Sequence, residues 1–146
     1  MSEELIAPKS EAEAKMALRM LAALIKLDQQ DKALKFGRKL EKGEMGGETE
    51  NLNLIAWAIV DPDLKGKPNA KLIQFAVETA RRADEESGLK NGSIADTLAK
   101  AYFDSGDAKK AVEAQERAIR LTKESGEPDD PEMKDRLEKY KKAAKK

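Results

Sequence analysis

The sequence predicts an all-α protein, built as three antiparallel helical hairpins followed by one C-terminal helix. Apolar residues recur at three-four spacing in seven segments, while the period-2 alternation and Val/Ile/Thr clusters of a sheet occur nowhere. Gly, Pro, Asn, Asp or Ser punctuate the ends of those segments. Charged residues make up 38% of the chain and aromatics only 4%, with Ala, Leu, Lys and Glu dominant. That mix suits solvent-exposed helices better than a sheet-built core.

The elements follow in order. Met1–Lys9 reads as a loose leader, with Pro8 stopping an early helix. Ser10 and Glu13 fit a capping box that opens a helix over about 11–27, with Ala14, Ala17, Leu18, Leu21, Leu24 and Ile25 on its apolar side. Asp28–Asp31 is turn material, and Lys32–Lys42 forms the second helix through Ala33, Leu34, Phe36, Gly37 and Leu40. Gly43, Gly46 and Gly47 end it in a flexible joint. Glu48–Val60 is a short, strongly apolar helix stopped by Asp61-Pro62, and DPDLKGKP over 61–68 is a breaker-rich loop. Asn69 caps a helix to about Ser87, carrying Leu72, Ile73, Phe75, Ala76, Ala80 and Ala83 inward, and Gly88 ends it. Asn91-Gly92 is read as a turn, with Ser93 and Asp96 boxing the start of a helix to Ser105. Gly106 turns the chain, Asp107 caps Ala108–Glu124, and Asp130-Pro131 opens the last helix to about Lys145.

Composition excludes whole classes of chemistry. Cys and His are both absent, which removes disulfides, thiolate nucleophiles, imidazole bases and Cys/His metal sites. Lys+Arg and Asp+Glu each number 28, and this balance argues against nucleic-acid binding. The lysine run at 139, 141, 142, 145 and 146 reads as a solvated helix end that complements the helix dipole. Asp61/Asp63 and Glu127/Asp129/Asp130 lack calcium-loop spacing and read as turn and cap residues. Gly43–Gly47 lacks the Lys-Ser/Thr that completes a phosphate loop. No apolar h-region marks a secretory signal, and Met16–Leu27 is too short and too charged to span a bilayer. The expectation is a chain without catalytic residues, cofactor, metal or membrane span, cytoplasmic as it stands and exported if it is an excised domain.

Leu98–Ile119, LAKAYFDSGDAKKAVEAQERAI, carries more information than any other stretch. Leu98, Ala99, Tyr102, Gly106, Ala111 and Ala118 occupy signature positions of a tetratricopeptide (TPR) hairpin, a unit of about 34 residues, and this stretch resembles one. Gln115 departs from the pattern by replacing an aromatic, and the closing proline comes late, at Pro128. In the middle pair Ile55, Ala56 and Ile59 match Leu98, Ala99 and Tyr102, while Ala76 and Ala83 match Ala111 and Ala118 across a stretched turn. In the first pair Met20, Leu21 and Leu24 take the seam and Ala33 and Leu40 the second helix, with a turn read as two residues short and lacking glycine. The resemblance implies a right-handed superhelical array of three hairpins, at about 10–45, 48–88 and 91–126. It also implies a capping helix over 130–146 that turns Met133, Leu137 and Tyr140 inward. Over Leu52–Pro62 and Ile94–Ile119, with a helix between, the chain is also similar to the helical tail that follows the redox domain in some exported bacterial thioredoxin-like proteins.

What the TPR resemblance implies for function is a protein-binding module whose first helices line a groove for a peptide or helix. The groove pattern falls on Leu18, Ala22 and Ile25, on Asn53 and Trp57, and on Asp96, Lys100 and Phe103. Trp57, the single Trp, is either a groove anchor or a filler of space beside the long loop. The carboxylate-gripping set found in some TPR proteins is missing, since its positions hold Leu18, Ala22, Leu54, Ser93 and Thr97. Two alternatives stand beside the groove reading: self-association as a homodimer through the leader or first pair, and service as a docking appendage of a redox enzyme.

Overall fold

The computed structural model describes residues 10–64 and 66–145, with Glu44 and Met45 described by backbone alone, so the expected leader over 1–9 lies outside the described residues. The described residues form seven α-helices and no strand: α1 (Glu11–Lys26), α2 (Gln30–Lys42), α3 (Thr49–Val60), α4 (Ala70–Glu86), α5 (Gly92–Asp104), α6 (Ala108–Glu124) and α7 (Pro131–Ala144). A 3₁₀ turn, Glu44–Gly47, joins α2 to α3.

The helices begin where polar caps satisfy their first amides. Ser10 Oγ accepts from Glu13 N at 3.2 Å, Asn69 Oδ1 from Leu72 N at 2.9 Å, and Asp107 Oδ1 from Lys110 N at 3.1 Å. Asp130 Oδ1 accepts from Glu132 N, with Pro131 opening α7. One expected cap is corrected: α5 starts at Gly92, and Asn91 rather than Ser93 caps it by accepting from Ile94 N at 3.1 Å. The reason lies in packing, because a Cβ at Gly92 would sit 2.6 Å from Thr122 Oγ1 on α6. Only glycine lets the two helices approach there.

The first turn is also corrected. The α1–α2 link is Leu27–Gln29 and the α5–α6 link is Ser105–Asp107, so the two are equally long. Asp28 takes the left-handed conformation (φ 58°) where Gly106 takes it (φ 94°) in the last hairpin. Aspartate is among the few residues that tolerate this region. The glycine joint after α2 is wound into the 3₁₀ turn. A Cβ at Gly46 would overlap the Glu41 carbonyl, and Arg82 of α4 donates to Gly46 O at 3.1 Å.

The three hairpins stack in chain order. α1 packs on α2, α3 on α4 and α5 on α6, while α3 also touches α1 and α5, and α7 lies on α6. The antiparallel sense shows in which small residues meet. Leu52 and Ala56 pack near Ala83 and Ala80, and Ala95 and Ala99 near Ala118 and Ala111. Alanine at these contacts lets backbones approach closely. The largest cluster gathers Leu21, Ile25, Phe36, Leu40, Ile55, Ile59, Leu72, Phe75 and Ala76 from α1 to α4.

The long 61–69 connection is tied down rather than looping free. Gln30 on α2 donates through Nε2 to Lys67 O at 2.7 Å and accepts through Oε1 from Asn69 N at 2.5 Å. Gly66 passes so near the end of α1 that a Cβ would lie 3.2 Å from Ile25 O. Asp61 Oδ1 accepts from Asp63 N at 2.8 Å, an Asx turn. The connection therefore straps the first hairpin to the second.

Candidate protein-binding face

The eight residues assigned to a groove lie on the first helices of the three hairpins, α1, α3 and α5. Their surroundings differ. On α1, Leu18 and Ala22 are half-buried, and Ile25 at 1% exposure belongs to the core. On α3, Asn53 is 5% exposed, and its Oδ1 is buried without a hydrogen-bond partner among the described residues. Trp57 is half-buried and packs its inner edge on the core cluster. Leu54, one residue on from Asn53, is the exposed large apolar side chain of that helix.

On α5 the three residues are engaged within the chain. Arg136 of α7 forks onto Asp96, with Nη2 at 2.9 and 3.1 Å from its two oxygens and Nε at 3.3 Å from one of them. Both side chains are largely shielded, which strengthens a charge-assisted, two-pronged pair of this kind. Lys100 Nζ lies 2.7 Å from both oxygens of Asp104, one turn on. Phe103 stacks on Tyr140 with centroids 4.7 Å apart, and Lys139 Nζ lies 5.2 Å from the Phe103 ring centre. α7 therefore closes the row, packed on α6 and joined to α5 through Asp96 and Phe103.

Two features were not read from the sequence. Arg117 on α6 closes a bidentate pair on Asp84 of α4, at 2.8 and 2.7 Å, which fastens the second hairpin to the third. The hydrogen bond that Arg117 donates to Asp84 raises the guanidinium above its ordinary range. This pair forms one side of an open cleft of about 310 Å³ that Tyr102, Leu98, Lys110 and Glu113 also line. Burial pushes the Tyr102 phenol up from its ordinary value. Gln115, the departure from the hairpin pattern, is fully buried and donates through Nε2 to Met133 O at 3.0 Å. It anchors the first turn of α7, a role that its amide type alone signalled.

Among the described residues no group of three or more acidic side chains is placed to hold a metal ion, and no helix is long and apolar enough to cross a membrane. What the fold and this face define is an all-helical protein of stacked hairpins with a last helix packed on the third of them. No protein-family model and no curated protein matches the chain.

Proposed function

We propose that this chain is a non-catalytic, TPR-like interaction module, its hairpins forming a right-handed superhelical row that receives a helix or extended peptide of a partner protein. One observation carries the reading: α1 and α3, the first helices of the first two hairpins, leave apolar side chains at least partly open to solvent, while Asp96 and Phe103 of α5 are taken up by Arg136 and Tyr140 of α7. The remaining stretch, on α1 and α3, presents Leu18, Ala22, Leu54 and Trp57, apolar side chains at least partly open to solvent. Trp57 is the anchor of that stretch, since a partly exposed Trp offers large contact area with little rotamer entropy to lose.

The test selects peptides from a displayed random library on the whole chain and measures their affinity by fluorescence, with Trp57 as the intrinsic probe. Selected peptides are expected to shield Trp57 from acrylamide and to bind Trp57→Ala about ten-fold or more weakly. Peptides that bind Trp57→Ala undiminished and protect the α4 and α6 surface in hydrogen exchange would overturn the assignment.

A further inference from the structure

α7 sits on a seat built from α5 and α6. Ala95 and Ala118 receive Met133, and Ala99, Ala111 and Ala114 receive Tyr140, whose ring stacks on Phe103. Alanine at these positions lets the helix backbones approach. Between the two anchors Arg136 forks onto Asp96, and Gln115 donates to Met133 O. The occupant thus presents an apolar residue, an arginine three positions on and an aromatic four further, along one side of a helix. The 125–130 connection that tethers it is exposed throughout.

The seat fits α7 imperfectly. Tyr140 Oη and Gln115 Oε1 are both buried without a hydrogen-bond partner among the described residues, in side chains that are 1% and 0% exposed. Two of the three such side-chain oxygens among the described residues fall in this one contact. Each oxygen gives up its hydration on docking and receives nothing in return. A tethered helix competes from an effective concentration of roughly millimolar order, so an incoming helix displaces it only by fitting better. The two oxygens mark where a better fit is available: a ring without the hydroxyl, and a donor for Gln115.

We propose that the α5–α6 surface is a receptor for a helix of a partner protein, and that α7 is its displaceable internal occupant. The partner helix carries the α7 signature with phenylalanine in the place of Tyr140. Phenylalanine keeps the stack on Phe103 and brings no hydroxyl into the seat. The partner's arginine takes over Asp96, which is largely shielded and needs a cation when α7 leaves. The partner binds the state with α7 undocked and shifts the population toward it. None of the α1 and α3 residues assigned to peptide binding takes part, so the two readings stand or fall separately.

The probe is a fluorescein-labelled peptide of residues 128–146 carrying Tyr140→Phe, titrated with the full chain and read by fluorescence anisotropy. It is expected to bind about five-fold or more tightly than the same peptide with Tyr140 retained. Adding Arg136→Glu to the peptide is expected to abolish binding, since that side chain would meet Asp96. The Tyr140→Phe chain holds its own α7 more firmly, so it is expected to take up the probe about five-fold or more weakly than the wild type. Native-state hydrogen exchange on the wild type is expected to show the Arg136 and Tyr140 amides opening about ten-fold or more often than α5 and α6. No binding at roughly 1 mM overturns the proposal. Equal affinities for the two peptides, undiminished uptake by the Tyr140→Phe chain, or α7 amides that exchange only with global unfolding also overturn it. A wild-type dimer with α7 exchanged between copies would assign the seat to a second copy and overturn the partner reading as well.

Discussion

Tyr140 of α7 stacks on Phe103 of α5 at 4.7 Å, yet its hydroxyl is buried with no hydrogen-bond partner among the described residues. The ring and the hydroxyl therefore pull in opposite directions. The stack holds α7 against the third hairpin, while the desolvated oxygen opposes folding.

Removing only the hydroxyl separates the two effects. Tyr140→Phe keeps the stack and is expected to leave stability unchanged or raise it by about 1 kcal/mol, read from urea unfolding. Tyr140→Ala removes the stack and opens a cavity beside Ala99, Ala111 and Ala114. That change is expected to cost about 3–5 kcal/mol. A Tyr140→Phe variant that is markedly less stable would show that the hydroxyl finds a partner.

The same hydroxyl predicts an alkaline weakness. Burial raises the Tyr140 phenol well above its ordinary value of 10.0, so between the two values the unfolded chain loses a proton that the folded chain keeps. Stability is then fully present below pH 10.0 and falls as pH rises past it. Tyr102, shifted the same way by burial, contributes in the same direction. Thermal melts between neutrality and high pH are expected to show a steeper alkaline decline for the wild type than for Tyr140→Phe. Parallel declines would remove Tyr140 from the account.

Arg117 neutralises Asp84, whose side chain is only 5% exposed. Arg117→Met strands that carboxylate and is expected to cost about 2–4 kcal/mol, with the lower figure favoured because Arg117 itself is 22% exposed. Replacing both partners, as Asp84→Leu with Arg117→Met, is expected to recover most of the loss, since a well-packed apolar pair carries no desolvation cost. A double variant as unstable as Arg117→Met alone would contradict this.

Gly37 is a helical glycine kept for space. A Cβ there would lie 2.8 Å from Cε2 of Phe75, itself buried in the core. Ala favours a helix over Gly by about 1 kcal/mol, while displacing a packed ring costs about 1–3 kcal/mol. Gly37→Ala is therefore expected to be net destabilising, and Gly37→Ala with Phe75→Leu to recover part of the loss. A more stable Gly37→Ala would mean that the ring moves freely.

Local signals in the chain were legible because they act over a few residues. Ser10, Asn69, Asp107 and Asp130 cap helices where their side chains reach amides two or three residues ahead. Gly106 takes the positive φ that its position in the hairpin requires. Choices between equivalent local signals were not legible. Asn91 and Ser93 are both good caps, and the approach of α6 to Gly92 is what places the start at the first of them. Asp28 likewise does the work of a glycine, which the residue type alone left open.

The sequence by itself determined an all-helical chain, the order and approximate bounds of its helices, and the alanine positions where they meet. The reason is that period, caps and breakers are short-range. Tertiary structure decided which surfaces remain open. It buried Ile25 and Asn53, and it engaged Asp96 and Phe103 with α7 through Tyr140 and through Arg136, 40 residues along the chain from Asp96. It left Met16 bare where its counterpart on α5, Ile94, is buried. Exposure depends on where distant helices come to rest, and no local pattern encodes that.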